Sequence, residues 1–195
     1  IAERCGIAVA GSIIESSVGC RPKNTVVVTG ADAKLLAAYA KIHLFSPDGE
    51  DLAYEAGDRI ATFTLDGTVF GLAVCYDLRF PELFRIYALA GAECVLVPAA
   101  WPCSRLSHWE TLLPARALEN RYYVAGVNTP GMPGGACCGG SLAADPDGVI
   151  IGRCGAGEEV LIVEIDPAAV HDARSRLPSL SDRRSELYQR LLSRL

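Results

Sequence analysis

The chain has 195 residues, 50% of them hydrophobic, which suits one domain with a sizeable core and is too short for two ordinary ones, so residues 1–195 are expected to form a single unit. A formal net charge of -5 with scattered Lys and Arg leaves no basic stripe able to follow a phosphate backbone, which argues against a nucleic-acid partner. No apolar run approaches the roughly 20 residues that span a bilayer, and Ile1 to Gly6 lack the layout of a signal peptide, so a cytoplasmic protein without a membrane partner is expected.

Short apolar runs bounded by Gly, Pro and Asp predict strands over residues 7–14, 25–29, 35–44, 59–65 and 68–75. Asp66-Gly67, between two such runs, is a hairpin signal. Pro81 suits a first helical turn, and the helix it opens should stop at Gly91. A strand over 94–97 follows. Ser107 is then expected to cap a helix that carries Trp109, Leu112, Leu113, Arg116 and Leu118 as far as Asn120. Pro114 inside it removes the hydrogen bond to the Glu110 carbonyl, costs about 3 kcal/mol and should kink it. A strand over 122–127, a Gly-rich loop over 131–140 and a hairpin from 141–144 and 149–152 come next, the last around Asp145 to Gly148. One more strand is expected over 159–165, and after Pro167 an Arg-rich tail should turn helical, with Leu187, Leu191 and Leu192 on one face. Strands and helices mixed in this order imply an α/β domain with helices layered on sheets.

Eight cysteines raise the questions of metal and disulfides. There is no CxxC pair, Cys137 and Cys138 are adjacent, and His43, His108 and His171 lie far from any cysteine cluster, so no metal is expected. A reducing cytosol would keep the thiols free. Cys75 stands apart, because the apolar strand from Gly71 ends abruptly at it and a polar turn leads into the helix at Pro81. Such a turn exposes a nucleophile and aims backbone N-H groups at a developing oxyanion.

The run Cys75-Tyr-Asp-Leu-Arg-Phe-Pro-Glu-Leu resembles the nucleophile motif of the nitrilase superfamily of carbon-nitrogen hydrolases. Further stretches agree in order. Tyr39-Ala-Lys41-Ile-His-Leu-Phe looks like the lysine motif, His108-Trp109 with Ala115 to Asn120 like the helix after the active-site strand, and Gly140-Ser141 through Gly148 like the late hairpin. The opening strand ending in Gly11-Ser12 and the closing Leu177-Pro178 with Asp182 to Arg184 also fit.

The resemblance implies a four-layer α-β-β-α sandwich around a glutamate, a lysine and a cysteine, with no cofactor. Cys75 is the expected nucleophile and Lys41 the expected lysine, an ammonium that would lower the thiol's pKa and stabilise the oxyanion with the backbone N-H of Tyr76. Glu55 is the expected second acidic residue of the pocket, holding the lysine or positioning substrate. His43 reads as structural. Arg79 with Glu82, and Arg116 with Glu119, are expected as supporting pairs. Pro98 to Pro102, Arg105 and His108-Trp109 resemble the ω-amidase-like branch, which cleaves short dicarboxylate monoamides; Trp101 would wall the pocket and Arg105 meet the distal carboxylate. A small-molecule amide as substrate and a homo-oligomer, dimer or larger, are implied as well.

The general-base glutamate lies in the family several tens of residues before the Gly-Ser strand, whereas about ten residues precede Gly11 here, and Glu3 and Glu15 do not match that motif. The chain is therefore expected to be incomplete at its N-terminus, lacking a first strand and helix. Ala40, where members often carry arginine, and Pro114 are smaller departures. The alternatives are a carbamoyl-amide hydrolase with the same motifs, an inactive relative kept for assembly, and a cysteine-rich metal-binding module.

Overall fold

A computed structural model describes residues 1–16, 18–131 and 135–194. The strands gather into two sheets. β1 (Val9–Glu15), β2 (Lys23–Thr29) and β3 (Leu35–Ala40), preceded by a short α1 (Ala2–Cys5), form an antiparallel three-stranded sheet in the order β1-β2-β3. After a short α2 (Glu50–Ala53) come β4 (Thr62–Leu65), β5 (Thr68–Leu72), β6 (Cys94–Ala99), β7 (Tyr123–Asn128), β8 (Leu142–Ala144) and β9 (Ile150–Arg153), which form one six-stranded sheet in that order. Its centre, β5-β6-β7, is parallel, and each side is closed by antiparallel pairing. Asp66 and Gly67 both take positive φ in the β4-β5 turn, as a tight hairpin connection requires.

Parallel neighbours need crossover connections, and two helices supply them. α3 (Pro81–Leu89) begins with Pro81 and ends ahead of Gly91 at φ +85°, so the two punctuation residues act where the sequence placed them. α4 (Leu106–Asn120) buries Trp109, Leu113, Arg116, Ala117 and Asn120, a stripe at helical spacing, against β7 and β8. Val26 and Val28 of the small sheet share a core with Leu72 and Val95 of the large one. The result is a mixed α/β fold with helices flanking sheets. Two later helices, α5 (Pro167–Arg176) and α6 (Ser185–Leu192), complete it, and Asp166 caps α5 by accepting from Ala168 N. Among the described residues no helix is long and apolar enough to cross a membrane.

Three expectations need correction. Ser107 is not the cap of α4: the cap position belongs to Arg105, and Ser107, already in the first turn, offers its carbonyl to Thr111 Oγ1 at 2.8 Å. Residues 159–165 alternate between exposed and half-buried side chains as a strand would, but form no ladder; Leu161 and Val163 instead pack over Gly152. The strand expected over 35–44 stops at Ala40, where the chain leaves the sheet as it approaches Lys41. Part of the loop expected over 131–140, residues 132–134, lies outside the described residues.

Close approach of α4 to β7 depends on Gly126, where an added Cβ would stand 2.5 Å from Trp109 Cζ2 and also collide with Leu113 Cδ1. Both side chains are fully buried and have no room to retreat. Gly126→Ala should therefore lower stability by about 1–3 kcal/mol, read from the midpoint of urea unfolding.

Candidate active site

The turn after β5 is built around a strained residue. Cys75 has φ +47°, a left-handed conformation that a non-glycine residue holds only when its surroundings impose it. Here the surroundings are the side chain of Asp77, fully buried. Its Oδ2 accepts from Val74 N at 2.8 Å and from Tyr39 Oη at 2.8 Å. Its Oδ1 accepts from His43 N at 3.0 Å and lies 2.8 Å from His43 Nδ1. One carboxylate thus fastens the cysteine turn to the end of the small sheet. His43 also stacks on Phe80, with ring centroids 3.7 Å apart, which fits its expected structural part.

Lys41 lies between the two residues Asp77 grips, Tyr39 and His43, and is 3% exposed. A buried ammonium needs a partner, and Glu50 provides it, with Oε2 2.5 Å from Lys41 Nζ. The same Oε2 accepts from Phe45 N at 2.6 Å, while Oε1 takes a longer bond from Asn24 Nδ2 at 3.3 Å. Burial pushes the Glu50 carboxyl up, but the Lys41 and Phe45 hydrogen bonds, the Lys41 charge and Asn24 outweigh it and hold the group below the ordinary carboxylate value. Glu50 is therefore ionised at neutral pH.

Lys41, Glu50, Cys75 and Tyr76 open into one cavity of about 650 Å³, also lined by Trp101, Pro102 and Arg105. Trp101 is anchored from both ends: its backbone N-H donates to Asn128 Oδ1 at 2.6 Å and its indole N-H to the Arg105 carbonyl at 2.7 Å. Asn128 Nδ2 in turn donates to the carbonyls of Trp101 at 3.2 Å and Gly139 at 2.6 Å. The Arg105 guanidinium lies over Phe45, 5.3 Å from its ring centroid. Among the described residues no cluster of three or more His, Cys, Asp or Glu could hold a metal ion.

The acid beside the lysine is Glu50, whereas Glu55 is about half-exposed and pairs with Lys23 at 3.3 Å outside the cavity. Arg79 does not pair with Glu82, which is exposed; it lies 4.8 Å from the Trp101 ring centroid and 3.2 Å from His108 Nδ1. Arg116 does pair with Glu119, at 2.9 Å, and donates from Nε to the Leu78 carbonyl at 3.0 Å, tying α4 to the cysteine turn. Glu50 and Asn128 were missed by the sequence reading. Burial pushes Cys75 above the ordinary thiol value and outweighs the Lys41 charge, which lowers it as expected together with the Ala100 N-H; Glu50 and Asp77 add to the rise.

Known proteins share this framework. A family model described as carbon-nitrogen hydrolase matches residues 1–175. The chain is 36% identical over 181 residues to the 2-oxoglutaramate amidase of Bacillus subtilis, covering 90% of this chain and 70% of that protein. It is 34% identical over 200 residues to human omega-amidase NIT2, covering 96% of this chain and 72% of that protein. Across the curated relatives it spans from 58% to 72% of their length. A solved amidase from Nesterenkonia sp. AN1, 33% identical, superposes with a TM-score of 0.85 over 97% of this chain and 69% of that one. That structure, a glutamate-to-glutamine mutant, shows covalent addition of the acetamide moiety of fluoroacetamide at its active-site cysteine.

Asp77→Ala leaves buried donors on both sides of the cysteine turn without an acceptor and should cost on the order of 3 kcal/mol, measured by urea unfolding. The pH dependence of Cys75 alkylation by iodoacetamide tests the electrostatics separately. Its midpoint should lie above the ordinary thiol value of 9.0, since burial favours the protonated form. In Lys41→Met it should move higher still; a shift downward would mean that the ammonium does not face the sulfur.

Proposed function

From membership in the carbon-nitrogen hydrolase family, to which this chain belongs by its match over residues 1–175, we propose that it serves a thiol amidase acting on short linear monoamides through Cys75. The carrying observation is the convergence of a left-handed Cys75, a buried Lys41 and an ionised Glu50 on one cavity. Cys75 Sγ attacks the amide carbon, Lys41 and the Tyr76 N-H meet the negative oxygen, ammonia leaves, and water hydrolyses the thioester. A raised thiol pKa makes a general base necessary, because the sulfur enters the reaction protonated. Glu50 is a poor base, since Lys41, Phe45 and Asn24 hold its carboxylate below the usual range, and its part here is to fix the ammonium. We propose that the base is a carboxylate outside this set.

The substrate class is read from the residues around Trp101. Arg105 and Arg79 both line the cavity with Trp101 and Pro102, which favours a carboxylate at the distal end of the substrate. The relatives named for 2-oxoglutaramate and ω-amide hydrolysis support this reading. A carbamoyl amide is the second candidate, since it presents the same carbon to the same sulfur.

The experiment compares this chain with a version extended upstream, reading ammonia release from a short dicarboxylate monoamide. The extended protein should be active and this chain much weaker; equal activity would place the base on Glu50 or Asp48, both in the cavity. In the active form, Cys75→Ala should leave less than about 1% of turnover. Arg105→Ala should raise KM for the dicarboxylate monoamide while leaving an uncharged amide nearly unaffected. An equal loss on both substrates would remove the carboxylate from the assignment.

A further inference from the structure

Arg79 stands at the end of the turn Cys75–Arg79 and lines the cavity together with Arg105. Both guanidiniums lie over aromatic faces, Arg79 at 4.8 Å from the Trp101 ring centroid and Arg105 at 5.3 Å from that of Phe45. Stacking of this kind leaves the N-H edge of a guanidinium open to a planar acceptor. Among the described residues neither pairs with a carboxylate. Arg79 has a second contact, because its Nη2 lies 3.2 Å from His108 Nδ1. A guanidinium carries donors and no acceptor, so at that distance the imidazole must offer a lone pair. This sets the tautomer: Nδ1 is bare and the proton sits on Nε2. A protonated ring would set donor against donor and charge against charge, so the contact belongs to the neutral imidazole. His108 is exposed, in the first turn of α4. Its neighbour Trp109 is fully buried, donates its indole N-H to the Gly140 carbonyl at 2.9 Å and has its ring centroid 5.4 Å from that of Trp101. A helix start anchored in this way gives the imidazole a fixed origin.

We propose that His108 is a positioning residue whose Nδ1 lone pair orients the Arg79 guanidinium over Trp101, so that Arg79 meets the distal carboxylate of the substrate. This rests on the reading of the substrate as a dicarboxylate monoamide. His108 does not itself line the cavity, so it acts through Arg79 and touches neither the substrate nor the sulfur. With one N-H committed to His108 and one face on Trp101, the guanidinium enters the encounter with its rotamer already chosen. Its remaining N-H groups are left for the carboxylate, and less side-chain entropy is lost when the substrate binds.

The test reads binding without turnover, by calorimetry on the full chain carrying Cys75→Ala, with glutaramate as the charged probe and glutaramide as the uncharged one. His108→Leu, a change at an exposed position, should weaken glutaramate about fivefold, the worth of one hydrogen bond, and leave glutaramide nearly unaffected. His108→Gln, whose Oε1 can accept the same N-H, should restore most of the affinity. Arg79→Met should weaken glutaramate at least as much, and adding His108→Leu to it should cost nothing further, since the two side chains act as one unit. Nitrogen NMR of histidine-labelled protein at mildly alkaline pH, with His108 assigned by its loss in His108→Gln, should show a protonated Nε2 and a bare Nδ1. Additive losses in the double variant, equal weakening of both probes, or a proton on Nδ1 would overturn the positioning. Glutaramate binding that His108→Leu leaves untouched would refute the positioning alone. Failure of the parent Cys75→Ala chain to bind glutaramate would instead sink the carboxylate reading, and the positioning with it.

Discussion

The buried carboxylate of Asp77 is the constraint on which the site depends. It belongs to the turn after β5 in the large sheet, yet two of its partners, Tyr39 and His43, come from the end of the small one. A carboxyl group away from water is tolerable only when its oxygens are satisfied, and here each oxygen meets two groups. The residues fastened this way bracket the chemistry on both sides. Lys41 lies between Tyr39 and His43, and Cys75 between Val74 and Asp77, so fixing one carboxylate sets the ammonium and the sulfur in register. The positive φ of Cys75 is a strain of about 1–3 kcal/mol that this anchoring sustains.

A second consequence is electrostatic. Lys41 is too deeply buried to go without a partner, and Glu50 supplies one, so Nζ is held in place before any substrate arrives. The cysteine differs. With Glu50 and Asp77 nearby, the field of Lys41 at the sulfur is partly cancelled, and desolvation decides in favour of the thiol. In the proposed reaction such a site holds no standing thiolate: a base makes the nucleophile by removing the proton, and Lys41 meets the oxyanion.

Much of this was legible in the chain itself, and the reason is periodicity and punctuation. Pro81 and Gly91 bounded α3 because one fixes φ and the other tolerates the left-handed region. Asp66-Gly67 marked the β4-β5 hairpin for the same reason. At a strand end alone a cysteine reads as buried and a lysine as solvated; the resemblance of their motifs to those of the nitrilase superfamily is what named Cys75 and Lys41. The acid could not be placed correctly, since Glu50 and Glu55 lie on an irregular stretch where spacing carries no period. What separates them is the path of the chain: Gly49 at φ +74° turns α2 inward, so Glu50 faces Lys41 while Glu55 emerges beside Lys23. Residues 159–165 show the converse, an alternation correctly read, without the ladder partner that only tertiary structure supplies. Arg79 illustrates a third limit, because a guanidinium near a carboxylate in sequence can do better on an aromatic face.

The proposed chemistry rests on a covalent bond to one sulfur, and that bond can be weighed. In the upstream-extended protein, acid quenching during turnover of a short dicarboxylate monoamide, followed by mass analysis of the peptide that holds Cys75, should find the acyl group of the substrate on that cysteine. Its amount should rise within the first turnover and persist at a steady level while ammonia is released. Continued ammonia release with Cys75 unmodified throughout, or with the acyl group on another side chain, would contradict the account.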